Sequence, residues 1–85
     1  MIAAVRGEVL VRRPDHVVIE AGGVGYLLTV SSETLKAVPA TGREAFLHTQ
    51  LIPRDDALAL YGFASEEERE LWLRRLRDQH HLRHL

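Results

Sequence analysis

The stretch "IPRDDALALYGF", residues 52–63, decides how the fold is interpreted. An apolar run ends at Pro53, three charged residues follow, and a second apolar run begins at once. Proline and aspartate favour turns, and apolar runs bounded by such residues are typical of strands. The sequence therefore predicts a fourth strand over 43–52 ("REAFLHTQLI") and a fifth over 57–63 ("ALALYGF"), joined by a charged turn.

Three further strands are predicted before this hairpin. Residues 2–13 alternate with a period of two, which indicates a half-buried strand with one face formed by Val5, Gly7, Val9 and Val11. Pro14-Asp15 makes a turn, and "HVVIEA" (16–21) is rich in β-branched residues. The glycines of "GGVG" (22–25) predict a tight turn or bulge before a third strand, "YLLTV" (26–30).

Two helices are predicted as well. "SSETLKAVP" (31–39) predicts a single helical turn, capped by Ser31 or Ser32. Ser65 and Glu68 have the spacing of a capping box, so a second helix begins at about residue 65. We expect it to bury one apolar face beside Arg69, made of Trp72, Leu73 and Leu76.

This order of elements predicts a mainly β fold, a five-stranded OB-fold barrel with a short helix between strands 3 and 4 and a C-terminal helix. Closing the sheet into a barrel would also hide its strand edges. We expect the barrel to span 1–64, the helix 65–79, and a disordered His- and Arg-rich tail 80–85.

Composition narrows the classes of function. The chain has 85 residues, a net charge of -1 and no cysteine, so it is one small domain without disulfides or thiolate metal sites. The charge is not that of a protein that holds DNA by overall basicity. No apolar run is long enough for a membrane span and no signal-peptide pattern is present, so we expect a soluble, cytoplasmic protein.

Several candidate sites have a simpler structural interpretation. Gly22, Gly23 and Gly25 lack the spacing and the following helix of a phosphate-binding loop, which favours a tight turn. No serine lies in a nucleophile-elbow setting, and no catalytic residue or cofactor is predicted. A metal site is not predicted either, because nothing supplies a third ligand to a cluster of histidines near the C-terminus: His80, His81 and His84.

The aromatic residues raise the question of single-stranded nucleic acid, the usual ligand of an OB-fold. Such a site needs several exposed aromatic side chains among basic ones. The chain has five aromatic residues, and the apolar neighbours of Tyr61 and Phe63 indicate core positions. A generic single-strand-binding barrel therefore stays an alternative of lower weight.

Adjacent carboxylates stand at the charged turn, where Asp55 and Asp56 follow Arg54. Residue types alone favour an ordinary polar turn, a hairpin tip exposed to solvent. Two such carboxylates also repel phosphate, so the tip would form a local negative point that displaces a DNA strand and does not hold it.

The segments "MIAAVRGEVL", "HVVIEAGGVGYLLTV" and "PRDDALALYGF", followed by an acidic helix, resemble the N-terminal domain of the RuvA family. The resemblance runs from Met1 to about Leu76. RuvA is the subunit of the bacterial branch-migration complex that binds Holliday junctions, the four-way DNA junctions of recombination and repair. The family's first domain is an OB-fold barrel, which agrees with the pattern of strands.

The resemblance implies a role for the charged turn. Family members assemble as homotetramers around a four-fold axis, and their acidic hairpin tip is called a pin. It corresponds here to Asp55 and Asp56, flanked by Arg54, and four copies would place about eight carboxylates near the junction crossover, where they repel phosphates. The domain catalyses nothing, since ATP hydrolysis belongs to the partner RuvB. Four basic side chains are candidates for contacts to the DNA backbone, although a solvated helix face is the favoured interpretation of the three on the second helix: Arg54, Arg74, Arg75 and Arg77.

The chain departs from the family after the second helix. RuvA continues with "GVGP"-type helix-hairpin-helix motifs, which make most of the phosphate contacts, and with a domain that contacts RuvB. This chain reads "RRLRDQHHLRHL" (74–85), which suggests a truncated or out-of-frame ending and weak DNA binding. The alternative function is therefore a stand-alone oligomerisation module, or a fragment with little DNA binding of its own.

Overall fold

The strands of the protein form one closed barrel. The computed structural model describes the backbone of residues 1–83 and the side chains of residues 1–79. The elements, in chain order, are β1 (Ala4–Arg12), β2 (His16–Ala21), β3 (Val24–Thr29), α1 (Ser32–Lys36), β4 (Glu44–Arg54), β5 (Ala57–Phe63) and α2 (Glu66–Arg83).

Neighbouring strands follow the order β1-β2-β3-β5-β4, and β4 pairs again with β1. All pairs are antiparallel except β3 with β5, which run parallel and meet at Thr29 and Tyr61. Between β3 and β5 the chain passes through α1 and then through β4, which is antiparallel to β5. This path brings β5 back beside β3 in the same direction. This is the arrangement of an OB-fold, so the predicted fold class is confirmed.

Alternation along the strands fills the barrel. In β1, Val5 and Val9 are buried, Gly7 and Val11 are half-buried, and the residues between them are exposed, as the period of two predicts. The other strands contribute inward-facing aliphatic side chains in the same way, and two valines join them from the segments on either side of α1. Together the core consists of Val5, Val9, Val17, Ile19, Leu28, Val30, Val38, Ala45 and Leu47.

Turn chemistry matches the sequence at both ends of β3. Gly22 and Gly23 have φ of 58° and 83°, and they form the tight turn between β2 and β3 that was predicted in place of a phosphate loop. Gly25 lies within β3 opposite Glu20. Ser31, and not Ser32, caps α1, because its Oγ accepts a hydrogen bond from the Thr34 amide at 3.1 Å.

The second helix differs from expectation at both of its ends. At its start the Ser65 Oγ accepts from the Glu68 amide at 3.1 Å, but the Glu68 carboxylate accepts from the hydroxyl of buried Thr34 in α1, so the capping box is only half formed. At its end the helix continues to Arg83, four residues beyond the expected limit of 79. Residues 84 and 85 of the expected tail lie outside the described residues.

The predicted burial of the second helix was right for only part of its apolar face. Trp72 and Leu73 are half-buried, but Leu76 is exposed, with 38% of its surface accessible. The helix packs on β4 and β5 through its first half, and from residue 74 onward every described side chain is exposed. Within residues 1–83, no helix is both long and apolar enough to cross a membrane.

Candidate nucleic-acid interface

The β4–β5 hairpin carries the acidic residues beyond the wall of the barrel. Its strands pair in register from His48 opposite Phe63 to Arg54 opposite Ala57, which leaves Asp55 and Asp56 as a two-residue tip. All six residues from 53 to 58 are exposed. The hairpin thus projects two carboxylates into solvent at its far end, and we call this pair the acidic pin.

The backbone at the tip suits aspartate. Asp55 has φ of 51°, in the left-handed region that most side chains avoid. Asparagine and aspartate tolerate this conformation because their short polar side chains can bond locally. The conformation therefore explains why a short polar residue stands at position 55, and it allows asparagine there as a substitute without strain.

The arginine beside the pin turns away from it. Within the described residues, no ion pair of 4.0 Å or less joins Arg54 to Asp55 or Asp56. The Arg54 guanidinium donates a hydrogen bond to the hydroxyl of Tyr61 instead. Neither carboxylate of the pin is thereby neutralised at close range.

The predicted arginines of α2 stand on a separate element and among carboxylates. Arg74 lines a shallow groove with Glu66, Glu67 and Glu70, and Glu70 is one helical turn from it. Arg77 is exposed, one turn further along from Arg74 and Leu73. The structure brings Arg54 to the base of the pin but does not group Arg74, Arg75 or Arg77 with it.

A second groove lies between α1, α2 and β5. It has a volume of about 510 Å³, and Trp72 and Tyr61 form part of its wall. Arg75 stands at this groove together with Glu33 and Glu68. Opposite charges therefore share its rim, which does not favour a phosphate over a cation.

The aromatic side chains do not form a stacking platform. Tyr61 and Phe63 lie 4.9 Å and 5.5 Å, centroid to centroid, from Trp72 on α2 and are engaged by it. Phe46 is covered on one side by the Arg6 guanidinium, 4.9 Å from its ring centroid. Tyr26, the fifth aromatic residue, packs half-buried against the core. Among the described residues, which include all five aromatic side chains, no row of free rings remains for successive bases.

No metal site accompanies these features in the described part of the chain, where no three His, Asp or Glu side chains are grouped as ligands. The side chains of the candidate histidines lie outside the described residues: His80, His81 and His84.

Comparison with known proteins agrees with this barrel and hairpin. The family model described as "RuvA N terminal domain" matches residues 1–62. The chain belongs to the RuvA N terminal domain family.

The alignments with RuvA relatives cover most of this chain but only part of each relative's length. A protein of Nocardia farcinica named "Holliday junction branch migration complex subunit RuvA" is 54% identical over 72 residues, 85% of this chain and 35% of that protein. Proteins of the same name from Rubrobacter xylanophilus and Halorhodospira halophila are each 46% identical, over 82% and 91% of this chain. The chain spans only 35% to 38% of the length of these curated relatives.

Sequence reasoning missed two contacts that organise this region. Tyr61 was assigned to the core, although its hydroxyl accepts a hydrogen bond from the Arg54 guanidinium on the outer face of the hairpin. Thr34 was not singled out, although it is fully buried and ties α1 to Glu68. Both are tertiary contacts between residues far apart in sequence or on different strands, and no local pattern marks them.

Proposed function

We propose that this chain acts as the barrel domain of a Holliday-junction-binding assembly and presents the acidic pin at the junction crossover. The single observation that carries the proposal is the pin itself: two exposed, unneutralised carboxylates at the end of a projecting hairpin, in a chain of the RuvA N terminal domain family. The pin repels phosphates at the crossover and so discourages the strands from pairing wrongly.

The proposed assembly is a homotetramer that brings four pins together on one axis. An apolar patch on the outer wall of the barrel supports association. Leu10 and Leu27 are 45% and 55% exposed, and Leu27 stands opposite half-buried Val18. Burying such a patch against a second copy would remove apolar surface from water. ATP-driven movement of the DNA is assigned to RuvB, with which this domain would act as a non-catalytic subunit in the cytoplasm.

Contacts that hold the DNA arms are proposed for basic side chains outside the pin. Arg74, Arg75 and Arg77 are exposed on α2 and would add non-specific backbone contacts. Because Arg74 and Arg75 stand among glutamates, their contribution is small, and junction binding by this chain alone is expected to be weak.

The experiment changes the pin without changing the fold. In the double variant Asp55→Asn, Asp56→Asn the side chains keep their shape and lose both charges. At a phosphate distance of about 8 Å in water each lost repulsion is worth roughly 0.5 kcal/mol, so neutralising the two carboxylates of one pin should tighten binding to a four-way junction about 3- to 10-fold, and a tetramer that loses four pins should gain more than that. Electrophoretic mobility shift assays on a four-way junction measure this directly.

A matched control separates the pin from net charge. Glu8→Gln, Glu20→Gln also removes two exposed carboxylates, which stand opposite each other on β1 and β2, and it changes the net charge equally without touching the arginines of α2. Tighter binding by the pin variant alone supports the proposal, whereas equal tightening by both variants, or none, contradicts it. Light scattering on the same samples tests the tetramer, and a monomer at all concentrations would refute that part.

A further inference from the structure

Arg54 lies along the outer face of the hairpin and reaches Tyr61. Arg54 stands opposite Ala57, and Tyr61 is four residues further along the same strand as Ala57, so all three share one face. The only side chain of β5 between them on that face is that of Ala59, which leaves a shallow track for the aliphatic part of the arginine. At the end of this track the guanidinium donates to the Tyr61 hydroxyl.

Tyr61 is in turn fixed by α2. Its ring centroid lies 4.9 Å from that of Trp72, and the two planes are tilted by 32°. Trp72 also contacts buried Phe63, with centroids 5.5 Å apart. The start of α2 is held against α1 by the contact between Glu68 and Thr34. A continuous set of contacts thus runs from the base of the acidic pin to the helix.

We propose that Arg54 is a positioning residue, which braces the acidic pin against α2 through Tyr61 and Trp72 and does not serve as a phosphate ligand. This inference rests on the proposed function and assigns the direction of the pin to three side chains. A two-stranded ribbon is only marginally stable by itself, and residues 53–58 are all exposed in the part of the chain that the structure describes. A brace on the exposed ribbon would limit how far its tip swings.

The brace also shapes the charge of the tip. Drawing the guanidinium back to Tyr61 moves a positive charge away from Asp55 and Asp56, so the outermost charges of the hairpin are both negative. An arginine folded forward onto the tip would instead cancel one carboxylate at short range. The contact with Tyr61 therefore contributes to repulsion as well as to direction.

The first test needs no DNA and compares three variants of the whole chain. Tyr61→Phe keeps the ring on Trp72 and removes only the acceptor hydroxyl, and Arg54→Met removes the donor. We expect each to raise amide hydrogen exchange at residues 55–57 about 3- to 10-fold, the effect of losing one modest hydrogen bond. The double variant should exchange no faster than either single variant, because both remove the same contact. Additive effects would overturn the brace.

A spectroscopic readout separates bracing from a general loss of structure. Trp72 is the one tryptophan of the chain, so its fluorescence reports on the ring beside it. Arg54→Met, although it does not alter a neighbour of Trp72, should shift that emission through Tyr61. Arg43→Met, a matched loss of charge just before the other end of β4, should leave both emission and exchange unchanged. A shift with Arg43→Met, or none with Arg54→Met, contradicts the proposal.

Junction binding then distinguishes this inference from the function on which it rests. If Arg54 held phosphate, Arg54→Met would weaken binding and reduce its salt dependence, while Tyr61→Phe would leave exchange at the tip unchanged; that pair of results overturns the brace. If Tyr61→Phe loosens the tip but neutralising Asp55 and Asp56 leaves binding unchanged, the brace holds and the proposed function fails.

Discussion

The two ends of the β4–β5 hairpin are built by different rules. At the barrel end, Leu47 and Thr49 are each 1% exposed and Phe63 is 5% exposed. Close packing there determines which side chains fit. At the far end Leu58 is 68% exposed and no side chain from 53 to 58 is buried. One pair of strands thus holds a core segment and a projecting segment in the same register.

The difference separates stability from function. Substitutions at the barrel end change the free energy of unfolding, because each buried side chain is surrounded by others. Substitutions at the far end leave the fold intact and change only what the tip presents to a partner. The contact between Arg54 and Tyr61 joins the two segments.

The largest effect is expected from Leu47→Ala. This side chain lies in the middle of the core, and truncating it leaves a cavity that the closed barrel cannot easily collapse. We expect a loss of about 3 kcal/mol in the free energy of unfolding, measured by chemical denaturation. Leu58→Ala, the same change in the projecting segment, should cost less than about 0.5 kcal/mol. Similar losses for both would break the comparison.

A smaller effect is expected from adding a methyl group at the barrel end. A Cβ at Gly62 would lie 3.2 Å from the Leu47 side chain and 3.3 Å from that of Val30, tighter than ordinary contact. Gly62→Ala should therefore destabilise the protein by about 1 kcal/mol, measured as a lower denaturation midpoint. The control, Gly25→Ala, meets only Val18 at 3.5 Å and should be neutral within about 0.5 kcal/mol.

The smallest effect concerns a surface pair on the barrel, between β1 and β2. A hydrogen bond from His16 Nδ1, at 2.8 Å, lowers the pKa of the exposed Asp15 carboxyl. A carboxyl whose pKa is lower in the folded state stabilises the protein at pH values above its unfolded-state pKa. This stabilisation is lost as the pH falls through the folded-state pKa. Asp15→Asn should thus be slightly less stable than the parent near neutral pH, and the difference should begin to shrink near pH 4 and disappear once the pH is below the folded-state pKa. A difference that persists in acid would contradict this cause.

The barrel could be predicted from sequence because its signals are local. Alternation in residues 2–13, β-branched residues in 16–21 and the glycine turn at 22–23 each specify one strand or one turn. Combined with a short helix between the third and fourth strands, they leave few ways to close the sheet. The burial of Val5, Val9, Val17 and Ile19 follows from the same alternation.

The details of the site could not be predicted in this way. Arg54 and Tyr61 fall on one hairpin face by register, but the rotamer that joins them depends on the small side chains between them and on Trp72. The exposure of Leu76 depends on where β4 and β5 stop supporting the helix, which the helical period does not encode. Such features belong to tertiary packing.

The measurement that tests the central claim most directly is the salt dependence of four-way-junction affinity for the parent chain and for the variant Asp55→Asn, Asp56→Asn. If the acidic pin acts by repulsion, the variant binds more tightly at low salt, and its advantage shrinks to below about twofold as the Debye length falls toward 3 Å near 1 M salt. An advantage that does not change with salt, or a variant that binds no more tightly at any salt concentration, would contradict the account.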